Sequence, residues 1–343
     1  VRGWLHEAER TPAALPDEGY VALLGADGAD LDALAALADR LRQQSVGDAI
    51  SYVANRNLDT GAVAGRAPTA RHHLAELVVE ARELGATEIC MQGPLPAAAD
   101  DDYIELIAAI TAAAPIHLHA FRVEELLDGA ARRRLTLPQF LAAAAAAGLR
   151  SVPGTAARIL DDDVRTRMND GPDTPVATWI NVIEAAHRAG LRSTSTMVYG
   201  HIETPAQQVA HLRTLAAIQA RTGGFTEFIA MPIVPATMPP ALRGRPGLRP
   251  SWRQTRALYA VARLILHGRI DNLQVAWPKL GLAAAVPLLG GGANDLGGLL
   301  FDGRLDPAAG AEAGKTLTLS TIETIAQRLG RPIRQRTTRY EDV

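Results

Sequence analysis

Polar and titratable side chains recur in this chain at the ends of short apolar runs, a placement that suits chemistry on a bound small molecule. Asn55-Arg56-Asn57 closes one run and Met91-Gln92-Gly93 the next. His117 and His119 stand two apart in a third, and Pro153-Gly154-Thr155 closes a fourth. Tyr199-Gly200-His201-Ile202-Glu203 ends a fifth, Glu227 and Gln274 lie in a sixth and seventh, and Asn294-Asp295 marks an eighth. Amides and hydroxyls read heteroaromatic edges by paired donors and acceptors. Asn55, Gln92, His119, Thr155, Gln274, Asn294 and Asp295 are therefore candidate ligand-binding residues. Tyr199, His201 and Glu227 are the candidate catalytic ones, with His201 or Glu227 as proton carrier. Glu227 is equally suited to pairing with a buried arginine. His117 and His119 have the spacing of metal ligands, but hydrogen-bonded interior histidines are the simpler reading, and no metal site is expected. Cys90, beside Met91, reads as a small core residue. As the only cysteine, it excludes a disulfide framework and any cluster held by the chain's own thiolates.

These residues need elements to hold them. Helix, glycine, strand is the recurring junction: Ala81 to Gly85 leads into Glu88-Ile89-Cys90-Met91, and Gly148 and Gly190 precede two further strands. Glycine ends a helix in the left-handed conformation without a Cβ penalty. The pattern predicts strands at 49–57, 88–93, 116–121, 150–155, 193–201, 225–233, 272–277 and 293–298. Helices are expected near 30–44, 69–84, 102–113, 123–147, 158–168, 175–189, 204–221 and 251–267. Strict alternation implies a parallel sheet covered by helices, a partial or complete TIM-like β/α barrel. An N-terminal helical segment at 1–45, the barrel at 46–300 and a C-terminal extension at 301–343 packing on it complete the expected organisation. Side chains two apart share a strand face. His117, His119 and Phe121 should thus point inward together, as should Tyr199 and His201. The proline-rich segment Pro235–Pro250 reads as a long loop able to cover a site. The acidic runs Asp100–Asp102 and Asp161–Asp163 read as solvated helix starts.

Composition narrows the function classes. A net charge of -2 gives no electrostatic case for nucleic acid or anionic membrane. Hydrophobic residues at 48% supply a sizeable core, but no apolar run is long enough to span a bilayer. With no signal-peptide pattern at the N-terminus, a cytoplasmic protein is expected.

Several stretches together carry a family likeness: Tyr52 to Asn57, Leu84 to Gly93, His117 to Phe121, Pro153 to Ala157, Met197 to Pro205, Thr222 to Phe228, His267 to Asn272, Asn294 to Gly298 and Arg334 to Thr338. Through them the chain resembles the tyrosine-utilising half of deazaflavin (FO) synthase, a radical-SAM family, over most of its length. The resemblance implies a partial TIM barrel. Relatives of that kind join a tyrosine-derived fragment to a ribityl-diaminouracil. S-adenosylmethionine is retained as a candidate ligand on this ground alone.

The departures are local. The family has a C-x3-C-x2-C loop after the Asn-Arg-Asn stretch, binding a four-iron cluster. Here Asn57 runs into Leu58-Asp59-Thr60-Gly61-Ala62-Val63-Ala64-Gly65, and the connection is shorter by roughly twenty residues. Pro94, Pro96, Arg158 and Pro235 replace family glycine, polar, glutamate and histidine positions. No iron–sulfur cluster is therefore expected. Three readings stay open. One is a cluster-free barrel binding an aromatic or nucleoside-like small molecule, acting if at all as a non-radical transferase or lyase. Another is a non-catalytic partner of an intact FO-synthase-like enzyme. The third is a genuine radical-SAM hydroxybenzyl transferase whose cysteine loop is missing from the sequence after Asn57.

Overall fold

From Ile50 to Asp59 the chain runs as one strand whose alternate side chains face two environments. The computed structural model describes residues 1–99, 101–244, 248–300 and 317–343. The strands are β1 (Ile50–Asp59), β2 (Glu88–Gln92), β3 (His117–Ala120), β4 (Leu149–Val152), β5 (Arg192–Tyr199), β6 (Phe225–Pro232), β7 (Leu273–Val275) and β8 (Asp295–Leu300), with a ninth, β9 (Ile333–Gln335). β2 to β8 pair in chain order, all parallel, and both β8 and β2 pair with β1. This closes an eight-stranded TIM-like α/β barrel. β9 lies against the start of β1, Ile50 opposite Ile333 and Tyr52 opposite Gln335.

Three helices precede the barrel: α1 (Arg2–Arg10), α2 (Asp17–Leu24) and α3 (Gly28–Val46). In α3, Leu31, Leu34, Ala38 and Leu41 form the buried stripe that their spacing requires. After β1 come a single turn, α4 (Thr60–Val63), and α5 (Pro68–Glu83). The remaining layer comprises α6 (Tyr103–Ala113), α7 (Val123–Arg133), α8 (Leu137–Ala147), α9 (Asp162–Asn169), α10 (Val176–Arg188), α11 (Pro205–Thr222), α12 (Pro240–Arg243), α13 (Trp252–Leu266), α14 (Trp277–Leu280), α15 (Ala285–Leu289) and α16 (Leu319–Leu329). Proline opens α5 and α11, where the first turn has no N–H partner to lose. Among the described residues no helix is long and apolar enough to cross a membrane.

The acidic runs differ from expectation. Asp102 caps α6 by accepting from the Ile104 and Glu105 N–H groups. Asp101 is buried, 2.5 Å from Arg71 Nη2, because the short β1–α5 connection brings that arginine over it. Asp161 caps α9. Asp100 and residues 301–316 of the expected extension lie outside the described residues.

Candidate functional site

The period of two selects what enters the barrel. Val53, Asn55 and Asn57 of β1, Glu88, Cys90 and Gln92 of β2, and Glu227, Ile229 and Met231 of β6 all line one internal chamber of about 140 Å3. His119, Thr155, Thr194 and Gln274 join them. Room for the amides comes from β8. A Cβ on Gly298 would sit 2.1 Å from Asn55 Oδ1, and one on Gly297, at φ +67°, 2.0 Å from Gln274 Nε2. Toward the C-terminal strand ends the chamber shares Asn57, Cys90, Gln92, Thr155 and Met231 with an outer cavity of about 920 Å3. The described part of the proline-rich loop, through Thr237–Pro240 and Arg243, forms one wall of that cavity.

Gln92 Oε1 accepts from the Thr155 hydroxyl at 3.1 Å, which aims the amide across the chamber. Asn55 donates Nδ2 to Asn57 Oδ1 at 3.1 Å, while its own Oδ1 is buried without a hydrogen-bond partner among the described residues. His119 Nδ1 and His117 Nε2 both lie 2.7 Å from the Ser151 hydroxyl. Burial pushes His117 down to about 4, and burial with the nearby Arg336 charge pushes His119 down to about 3, so both are neutral at neutral pH. Among the described residues no group of three or more His, Cys, Asp or Glu could hold a metal ion.

The floor is made by the segment after β9. Arg336 places Nε 2.6 Å from Asp295 Oδ2 and Nη2 3.1 Å from Glu227 Oε2, with its guanidinium 3.9 Å over the Tyr340 ring. Tyr340 donates its hydroxyl to Glu227 Oε2, and Thr338 donates to Glu88. Burial pushes Glu227 up to about 7, against the pull of Arg336 and with the push of Asp295. Arg336 is fully buried, yet Asp295, Tyr340 and Glu227 hold its charge.

Several candidates sit elsewhere than expected. Tyr199 points to the helix layer, its hydroxyl 3.0 Å from Thr255 Oγ1 of α13, and burial raises its pKa. Gly200, at φ +80°, breaks the alternation, so His201 turns to the cavity wall while Tyr199 does not. Both His201 nitrogens face protein: Nε2 donates to Val198 O at 2.9 Å, and Nδ1 lies 3.0 Å from Glu203 Oε2, off the line of a hydrogen bond. Phe121, at φ +68°, leaves the face of the histidines and packs edge-on against Tyr103. Asn294 and Asp295 start β8, at the floor and not the mouth. Asn294 Oδ1 accepts from Leu273 N and Arg263. Cys90 is half-buried and faces the chamber, leaving Met91 to fill the core. The reading from residues alone missed Arg122, Arg243 and Lys279 on the outer wall. Lys279, one of two lysines in the chain, follows β7 directly, and that position was its available signal.

A closed parallel barrel with its polar chamber opening at the C-terminal strand ends defines a TIM-like α/β barrel. Two solved structures share the architecture: methylornithine synthase, at TM-score 0.67 and 14% identity over 96% of this chain and 97% of that one, and the FeFe-hydrogenase maturase of Carboxydothermus hydrogenoformans, at 0.70 and 14% over 97% and 79%. No family model matches the chain. The FO synthase of Nocardia farcinica is 46% identical over 98% of this chain, and that of Mycobacterium tuberculosis 44% over the same share. The chain spans 41% of the length of each. The 5-amino-6-(D-ribitylamino)uracil–L-tyrosine 4-hydroxyphenyl transferase of Gloeobacter violaceus is 40% identical over 94% of this chain and 89% of its own. The chain belongs to the family of these FO synthases and hydroxyphenyl transferases.

Proposed function

We propose that this barrel binds a heteroaromatic, nucleoside-like small molecule in its chamber and does so without an iron–sulfur cluster. The observation that carries the first part is the buried Asn55 Oδ1, an acceptor left without a protein donor beside Gln92, His119, Thr155 and Gln274. A buried unsatisfied acceptor costs about 1–3 kcal/mol, which a ligand N–H would recover. The relative from Gloeobacter violaceus carries a ribitylaminouracil and tyrosine in its name, and a uracil edge matches such amides.

The second part rests on the donor set. A radical-SAM cluster needs several thiolates, and Cys90 is the single cysteine, on β2. Where the resemblance puts the cysteine loop, β1 and α5 are joined by a closed connection. Asp59 caps Ala62 N at 2.9 Å, the Gly65 N–H donates to Asp101 at 2.9 Å, and Arg66 grips Glu105 with two bonds of 2.7 Å. The match to the Nocardia farcinica protein runs over 356 positions and 98% of these 343 residues, so over its whole length about twenty positions have no residue here. The residues present do not fit the cluster. Any chemistry is then proton transfer by the chain's own groups, as in a transferase or lyase. Glu227 is placed for it, near neutrality, with Oε2 held by Tyr340 and Arg336 and its side chain lining the chamber.

Calorimetric titration with tyrosine, ribityl-diaminouracil, flavins, deazaflavins and S-adenosylmethionine tests the chamber. A ribityl heterocycle should bind, and no binding by any of them overturns the reading. Anaerobic reconstitution with iron and sulfide tests the rest. Stoichiometric acid-labile sulfide, or 5′-deoxyadenosine formed from S-adenosylmethionine, would return the protein to radical chemistry. Capture of an intact FO-synthase-like enzyme, unaffected by chamber mutations, would favour a non-catalytic partner instead.

A further inference from the structure

Beyond the chamber the outer cavity changes character from amides to guanidiniums. Arg122, Arg158 and Arg243 reach it from three separate elements: the N-cap of α7, the residue after the turn Thr155–Ala157, and the end of α12. Among the described residues each is anchored along one edge only. Arg122 gives Nε and Nη2 to Glu125 and keeps Nη1. Arg158 donates Nη1 to Asn169 at 3.4 Å, holds it 3.2 Å from Asp173 Oδ2 as an ion pair, and keeps Nη2. Arg243 gives Nε to the Met238 carbonyl at 2.7 Å and keeps both terminal nitrogens. The carboxylates of the same wall are Asp59, which caps α4 through Oδ1, and Asp170, exposed at the end of α9.

A guanidinium fixed along one edge presents its other N–H groups in a set plane, the geometry that meets phosphate oxygens. Three of them approaching from different elements suit a tetrahedral group better than a flat carboxylate. We infer that the ligand ends in a phosphate monoester held by Arg122, Arg158 and Arg243, with its heteroaromatic head in the chamber: the phosphorylated form of a nucleoside-like molecule. This rests on the reading of the chamber given above. A cavity of about 920 Å3 has room for such a molecule.

Matched probe pairs separate the two claims. Riboflavin against its 5′-phosphate, and adenosine against its 5′-monophosphate, differ only in the group at issue. Titrated calorimetrically into the full chain, at least one phosphorylated partner should bind about tenfold or more tightly than its neutral mate. The advantage should shrink as salt rises. In Arg243→Gln, whose side chain lies at the surface of α12, and in the double variant with Arg158→Gln, the ratio should fall toward one while affinity for the neutral probe stays as it was. Equal affinity within each pair, or a ratio that survives both substitutions, overturns the phosphate while leaving the chamber reading intact. If none of the four probes binds, the phosphate inference falls, and the chamber reading falls with it only where ribityl-diaminouracil also fails to bind.

Discussion

Asn55 and Tyr199 make opposite predictions although both are buried polar side chains on barrel strands. Asn55 carries an acceptor that the fold does not satisfy, so Asn55→Ala should leave stability within about 1 kcal/mol of the parent or raise it. Its affinity for a chamber ligand should drop a few-fold to roughly tenfold, the worth of one hydrogen bond. Thermal melts beside calorimetry check this. A large loss of stability with unchanged binding would make Asn55 structural. The Tyr199 hydroxyl is spent on Thr255, behind the strand. Tyr199→Phe should therefore cost about 0.5–1.5 kcal/mol in urea unfolding and leave ligand affinity alone. Gln92→Ala tests the same logic from the chamber side, since Thr155 orients the amide but both residues line open space. It should weaken binding with the melting temperature nearly unchanged.

At the scale of elements, the segment following β9 closes the barrel from below, and its energetics hang on one cation. Arg336 is the shared partner of Asp295 and Glu227, both buried. Removing one partner of a buried ion pair strands the others in low dielectric, at about 3–5 kcal/mol. Arg336→Met should lose that much in denaturant unfolding, and adding Asp295→Asn should restore part of it. A loss under about 1 kcal/mol in the single variant would mean that water reaches the floor. This element was also the hardest to read beforehand. Ile333-Arg334-Gln335 has too little apolar content to announce a strand, and its partner β1 lies far off in sequence. The eight barrel strands were legible because glycine-ended helices mark their starts, as at Gly85, Gly148 and Gly190. Which side chains share a face was legible inside strands, but not always which face turns inward. At Gly200 and Phe121 a positive φ ended the alternation, which parted His201 from Tyr199 and turned Phe121 away, while Tyr199 sits on the Ser195–Met197 face of β5, opposite the Thr194 and Val198 that line the cavities. Glu227 was left between base and buried partner, since Arg336 is more than a hundred residues away in sequence.

Over the whole molecule, buried histidines set the response to acid. Burial pushes His117 and His187 down to about 4 and His119 and His211 to about 3. His211 shows why the neutral form is required: Nδ1 accepts from the Leu160 N–H at 3.0 Å while Nε2 donates to Thr196 O at 2.9 Å, and protonation would destroy the acceptor. A depressed histidine contributes stability that is complete above its unfolded pKa of about 6.5 and is lost as pH falls toward its folded value. Glu227 works in the other direction. Its folded pKa is raised to about 7, so its contribution is complete below the unfolded value and lost as pH rises. At about pH 5.5 the unfolded chain thus binds close to four more protons through histidine and close to one fewer through Glu227. Three net protons correspond to a slope of about 4 kcal/mol per pH unit, enough to exhaust the roughly 5–15 kcal/mol stability of an ordinary domain within a few units. Urea unfolding at intervals from pH 7 downward should show the midpoint falling steeply below about pH 6.5. A midpoint that stays level down to about pH 5 would mean that these rings are already protonated, or solvated, in the folded barrel.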